Sequence, residues 1–157
     1  MVYYTKDTPK NACLVEVSNE QTSITAHNGR FGFTNFKPNI DFRNLFVHML
    51  HALTLLEKES LDKNICIKVD INTFGTKDKK PMSPHQIIRA ILCSIWAIRC
   101  IYPSTALKTI ALAIDDKYQD ILNELLKNEN YKDFVDMSGK PTPVIEYIKR
   151  YYENKKR

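Results

Sequence analysis

The sequence predicts an α+β fold, a mixed α/β sheet of order βββαβαβαα packed with helices. Three observations predict it. The N-terminal third holds short alternating apolar runs separated by turn residues, as "ACLVEV", "TSITAH" and "RFGFTNF" show. The middle interleaves long stretches of helical period with short β-rich runs. The length of 157 residues suits one domain, residues 1–157, able to bury a core without a metal or a disulfide.

Each element has a local reason. In "ACLVEV" Cys13, Val15 and Val17 point one way and Leu14 and Glu16 the other. "TSITAH" follows, then Asn28–Gly29, a pair that accepts positive φ and signals a hairpin, then "RFGFTNF". These three strands read as an antiparallel meander, the start of the expected sheet. In "DFRNLFVHMLHALTLLEKE" Phe42, Leu45, Phe46, Met49, Leu53 and Leu56 recur at helical spacing. "ICIKVDI" alternates as a strand. Ser83, Pro84 and Gln86 then form a capping box with proline in the first turn. The helix that follows is apolar on nearly every side, marking it as the central buried one with Trp96 as a core anchor, and Pro103 ends it. "ALKTIALAI" reads as a strand and "DKYQDILNELLKN" as a helix. Thr142 and Pro143 open a last helix, the basic C-terminal element of residues 140–157.

The bulk numbers narrow function. Cys13, Cys66, Cys93 and Cys100 sit in apolar surroundings without CxxC spacing, as expected of reduced core residues in a cytoplasmic protein without disulfides. "MVYYTKDTPK" lacks the apolar core of a signal peptide. The net charge is +5, and residues 137–157 hold six Lys/Arg against two Glu. A basic terminus suits an anionic partner. The stretch 72–83 is polar, carries lysines and is the longest irregular piece, so it is the candidate functional loop. Lys77, Lys79 and Lys80 of that loop are the candidate nucleic-acid-binding residues, together with Lys149, Arg150, Lys155, Lys156 and Arg157. Tyr147, Tyr151 and Tyr152 interleave with the last group, a mix that stacks bases and neutralises phosphates.

The order of elements over residues 12–127 resembles that of the ribonuclease H-like superfamily of nucleases and resolvases. That resemblance implies carboxylates on the first strand, near the end of the fourth and on the helix after the fifth, holding two divalent metals against a phosphodiester. Position by position these fall on Glu16, on Asp70, and on Asp115 or Asp116 with Asp120 one turn on; the first helix, "NLFVHM", offers no acid. Glu16, Asp70 and Asp116 are therefore the candidate catalytic residues, with Mg²⁺ as cofactor under that alternative and no cofactor otherwise. Each also has a structural explanation, as wet-face strand residues or as acids at a helix start.

"INTFG", the apolar helix after it and "LKTIALAIDDKYQDIL" are similar to the second half of a macro domain, where such a loop touches a bound ADP-ribose. The glycine-rich first half is missing from a chain with four glycines. "FVHMLHAL" with a strand ending "KVD" looks locally like imidazoleglycerol-phosphate dehydratase, without its paired histidines. A ββαβα core with a basic tail looks like some small-subunit ribosomal proteins. The leading expectation is a non-catalytic domain that binds nucleic acid or an acidic protein partner, with no membrane. The alternatives are the metal-dependent nuclease or resolvase and a viral or phage accessory protein-interaction module.

Overall fold

The structure is a computed structural model that describes residues 2–9, 12–18, 21–26, 29–35, 42–58, 64–75, 82–102, 107 and 109–128. Six strands form one sheet: β1 (Val2–Thr5), β2 (Cys13–Val17), β3 (Gln21–Ala26), β4 (Gly29–Asn35), β5 (Ile65–Val69) and β6 (Ile110–Ala113). Three helices accompany it among the described residues: α1 (Phe42–Lys58), α2 (Pro84–Ile101) and α3 (Gln119–Asn128). The strand order is β1-β6-β5-β2-β3-β4.

The α+β class expected from an antiparallel meander is corrected by this order. β1, β6, β5 and β2 lie side by side and run parallel, which makes the fold α/β. β3 and β4 extend that block beyond β2, each antiparallel to its neighbour. The organising strand is β2, whose second edge pairs in parallel with β5, Val15 lying opposite Ile67 and Glu16 opposite Lys68. Parallel pairing needs a long crossover and leaves no turn signal in the sequence. β1 carries no such signal either: "VYYT" is four residues long with no buried position.

From β2 to β5 to β6 the chain steps twice in one direction, so right-handed crossovers place α1 and α2 on one face. The packing agrees. Cys13, Val15 and Val17 of β2, Ile65, Ile67 and Val69 of β5, and Ile110 and Leu112 of β6 share one core with Phe46, Met49 and Leu53 of α1 and Ile87, Ile91 and Ile98 of α2. Leu122 and Leu125 of α3 close it. Trp96 is only half-buried, at the margin of this core.

The second face of the sheet carries small side chains. Cys66, Ala111 and Ala113 are buried there, with Ala12 and Leu14 packed against them. The connection from Thr5 to Cys13 explains the burial. It must pass three strand spacings, about 14 Å, and return from the carboxyl end of β1 to the amino end of β2. Eight residue steps reach roughly 26–29 Å, long enough to span that separation. Ala12 packs against the Cys66 cluster and places the end of the connection on this face, and the Thr8 side chain beside Cys66 offsets part of the upward push of burial on its thiol.

The start of α2 follows the sequence closely. Gln86 N–H donates to Ser83 Oγ at 3.2 Å, and Ser83 N–H donates to Gln86 Oε1 at 3.0 Å, with Pro84 in the first turn. Ser83→Ala is expected to cost about 1 kcal/mol, read from a urea midpoint, because it orphans a helix N–H. An unchanged midpoint would show that the box adds nothing to the stability of α2. The last stretch of the expected strand 65–71 is instead a 3-10 turn, Ile71–Gly75, which shortens the candidate loop 72–83 at its start. The basic C-terminal helix of residues 140–157 lies outside the described residues. All four cysteines are free thiols; Cys13, Cys66 and Cys93 are buried and Cys100 is half-buried. Among the described residues no helix is long and apolar enough to cross a membrane.

Candidate functional site at the carboxyl edge of the sheet

Four parallel strands end on one edge, at Thr5, Val17, Val69 and Ala113. Chain leaving that edge is where α/β sheets present polar groups to ligands, because the loops there are free of core packing duties. The residues delivered are Lys6 and Asp7 after β1, Ser18 after β2, Asp70 and Asn72 after β5, and Asp115 and Asp116 after β6.

The backbone fixes these exits. Asp70 N–H donates to the Val17 carbonyl at 2.9 Å, carrying the β2–β5 pairing one residue past the strand. Ile71 and Phe74, both buried, anchor the 3-10 turn and leave Asn72 exposed. A second 3-10 turn, Asp116–Tyr118, leads into α3. Asp115 caps it, its carboxylate accepting from Lys117 N–H at 3.1 Å. Tyr118 O–H then donates to Asn72 Oδ1 at 3.0 Å and ties the two turns together. Lys117 lies 5.0 Å over the Tyr118 ring.

Two adjoining crevices result. The inner one, about 340 Å³, is lined by Glu16, Ser18, Lys68, Asp70, Asn72, Asp115 and Tyr118. The outer one, about 440 Å³, is lined by Lys6, Asp7, Lys68, Asp115 and Asp116. Lys68 and Asp115 belong to both walls and form the ridge between them. Lys68 lies opposite Glu16 in the parallel register, so neighbouring strands bring one basic and one acidic residue to the inner crevice's wall.

The sequence-predicted acids separate on this edge. Glu16 and Asp70 line the inner crevice, and Asp115 stands on the ridge. Asp116 lines the outer crevice. It accepts a hydrogen bond from Tyr4 O–H and pairs with Lys6 Nζ at 3.4 Å. Among the described residues no three His, Cys, Asp or Glu side chains are grouped to hold a metal ion. Asp120 is exposed on α3. Lys77, Lys79, Lys80, Lys149, Arg150, Lys155, Lys156 and Arg157 lie outside the described residues. Of the two arginines on α2, Arg89 sits 5.2 Å over the Phe42 ring.

The Tyr4–Asp116 bond shifts both groups. The phenol holds the Asp116 carboxyl below its ordinary 3.8, with Lys6 adding to the effect against some desolvation. The carboxylate in turn pushes Tyr4 from 10.0 up to about 12. The signs follow by linkage. Asp116, depressed in the fold, contributes stability that is present above about pH 4 and lost as pH falls through its lower folded value. Tyr4, raised in the fold, contributes stability that is present below 10.0 and lost as pH rises toward about 12. Tyr4→Phe is therefore expected to flatten the decline of the urea midpoint between pH 10 and 12. An alkaline limb of the same slope in the variant would show that the bond does not form. Burial alone pushes the His48 imidazole down, as expected of a histidine at a core margin.

Sequence reasoning missed Tyr4, Lys6, Ser18 and Tyr118, and reached Asn72 only as the first residue of the candidate loop 72–83. Their roles come from pairings such as Tyr118 with Asn72, 46 residues apart, and Tyr4 with Asp116, 112 apart. Comparison of the chain with family models and with curated proteins gives no match.

Proposed function

We propose that this protein is a non-catalytic binding domain whose working face is the carboxyl edge of its parallel strands. The partner is anionic, a nucleic acid or an acidic protein. One observation carries the proposal. β5 exits at that edge into the 3-10 turn Ile71–Gly75, whose Ile71 and Asn72 line the inner crevice, and the lysine-bearing sequence 76–81 follows directly in the chain. Lys77, Lys79 and Lys80 would supply the contact there, and the basic C-terminal stretch with Lys149, Arg150, Lys155, Lys156 and Arg157 would extend it. Free thiols support a reducing, cytoplasmic setting. The test is a fluorescence titration of the full chain with a labelled single-stranded oligonucleotide and, separately, a polyglutamate peptide. Saturable binding of either that weakens with salt is expected; binding of neither would dismiss the proposal.

A second proposal has its own observation. Glu16, Asp70 and Asp115 line one crevice without being grouped closely enough to hold a metal ion as they stand, so a ribonuclease H-like metal site would need them to converge and would use Asp115 in place of Asp116. Asp115 would have to leave its capping bond to Lys117 N–H to ligate. That cost, and Lys68 opposite Glu16 in the register, favour the non-catalytic assignment. The turn formed by "INTFG" lies beside the same crevice, which supports the local macro-domain likeness as a ligand-contacting turn. A pure protein-interaction module would differ by binding the peptide and not the oligonucleotide.

A further inference from the structure

The described residues 2–9 and Ala12 bury less than any strand of the parallel block beside them. None of the described residues from Val2 to Pro9, nor Ala12, is buried. β2, β5 and β6 each bury at least three side chains. β1 is the outer strand of the sheet, paired with β6, and Val2 and Tyr4 reach only the margin of the core. Beyond the strand ladder and the marginal packing of Val2, Tyr4 and Ala12, polar side-chain contacts add to the hold on the segment. Tyr4 and Lys6 both grip Asp116, and the Thr8 side chain lies beside Cys66. Segments with few buried groups open locally at lower free energy than the whole fold.

What lies under the segment differs from an ordinary core. Cys66, Ala111 and Ala113 are buried there in a cluster separate from the main one. Lys6 and Asp7 of the same segment form a wall of the outer crevice. Moving residues 2–9 would therefore change two things together: the cover over Cys66 and the shape of that crevice.

We infer that residues 2–9 form a separable strap, latched at Asp116, that opens as a unit while the helix-packed core stays folded. Opening removes one wall of the outer crevice and bares the small-residue face with the Cys66 thiol. Cys66 is the natural reporter, because Cys93 on α2 is fully buried in the main core and Cys100 is half-buried.

The experiment is timed alkylation of the full-length native protein with N-ethylmaleimide, followed by peptide mass spectrometry at each cysteine. Cys100 is expected to react first, Cys66 next, and Cys93 last, at the rate of global unfolding. Asp116→Ala, which frees both Tyr4 and Lys6, should speed Cys66 by roughly three- to tenfold with Cys93 unchanged. Tyr4→Phe keeps the Lys6–Asp116 pair and should give a smaller rise of the same selectivity. Cys66 reacting at the Cys93 rate, or as fast as Cys100, in the unaltered protein would overturn the strap. So would variants that leave Cys66 unchanged or that speed Cys66 and Cys93 equally.

Discussion

Phe46→Ala is expected to destabilise the protein by about 3–5 kcal/mol, a large share of the stability of a domain this size. Phe46 is 1% exposed and lies in the core that α1 shares with α2 and the sheet. Truncation removes the ring's transfer energy and leaves a cavity between rigid elements that collapses only in part. The check is a urea or guanidinium melt with the slope held constant, so that the midpoint reports stability. Trp96→Ala is the contrast. Trp96 is half-buried at the core margin, so its loss should cost less than that of the smaller Phe46. If Trp96→Ala cost more, the core would lie toward that side of α2 and the placement of α1 against the sheet would be wrong.

Charge reversal at Lys155, Lys156 and Arg157 is expected to weaken oligonucleotide binding roughly a hundredfold at about 0.1 M salt. For single strands the slope of log affinity against log salt is about −0.7 per neutralised phosphate. Three lost contacts then change the slope by about 2 and the affinity at that salt by about two decades. Reversal keeps the chain length and leaves the apolar positions Val144 and Ile148 unchanged. Reversal at Lys77, Lys79 and Lys80 should act in the same direction, because the sequence that carries them follows directly on the 3-10 turn Ile71–Gly75. An unchanged slope in both triple variants would remove the basic segments from the interface. A fall in affinity without a change in slope would point to a contact that is not with phosphates.

Much of the fold was legible because its signals are local. The capping box at Ser83 and Gln86 opens α2 where the sequence places it. The alternation in "ACLVEV" sorts Cys13, Val15 and Val17 onto the helical face of the sheet. The apolar stripe of α1 is buried as its spacing requires. The parallel frame was not legible. β1 pairs with β6 across more than a hundred residues, and nothing within "VYYT" encodes that partner. The register of the β3–β4 pair also moves: Gly29 already pairs with Ala26, so the Asn-Gly signal falls one residue late.

The candidate site was half legible for the same reason. Glu16, Asp70 and Asp115 are visible as acids at the ends of elements, and the topology brings them to one crevice. What the sequence cannot show is which acid is already engaged. Asp116 looks equivalent to Asp115 in the string "AIDDKY". In the fold one is bound by Tyr4 and Lys6 and the other caps a turn. Tyr118 escapes notice, and Asn72 counts only as a loop residue, because neither residue type marks a site until the two turns meet.

Binding at the carboxyl edge without metal chemistry is tested most directly by a melting curve. The protein and its Asp70→Asn variant are melted with and without millimolar Mg²⁺ or Mn²⁺. A ligand that binds only the folded state raises the melting temperature in proportion to its occupancy. With Asp70 as an exposed residue of the crevice, neither cation should shift either protein, and the substitution should leave stability nearly unchanged. A clear shift in the unaltered protein that Asp70→Asn abolishes, with a more stable metal-free variant through relief of carboxylate repulsion, would contradict the non-catalytic reading and place a metal site in the inner crevice.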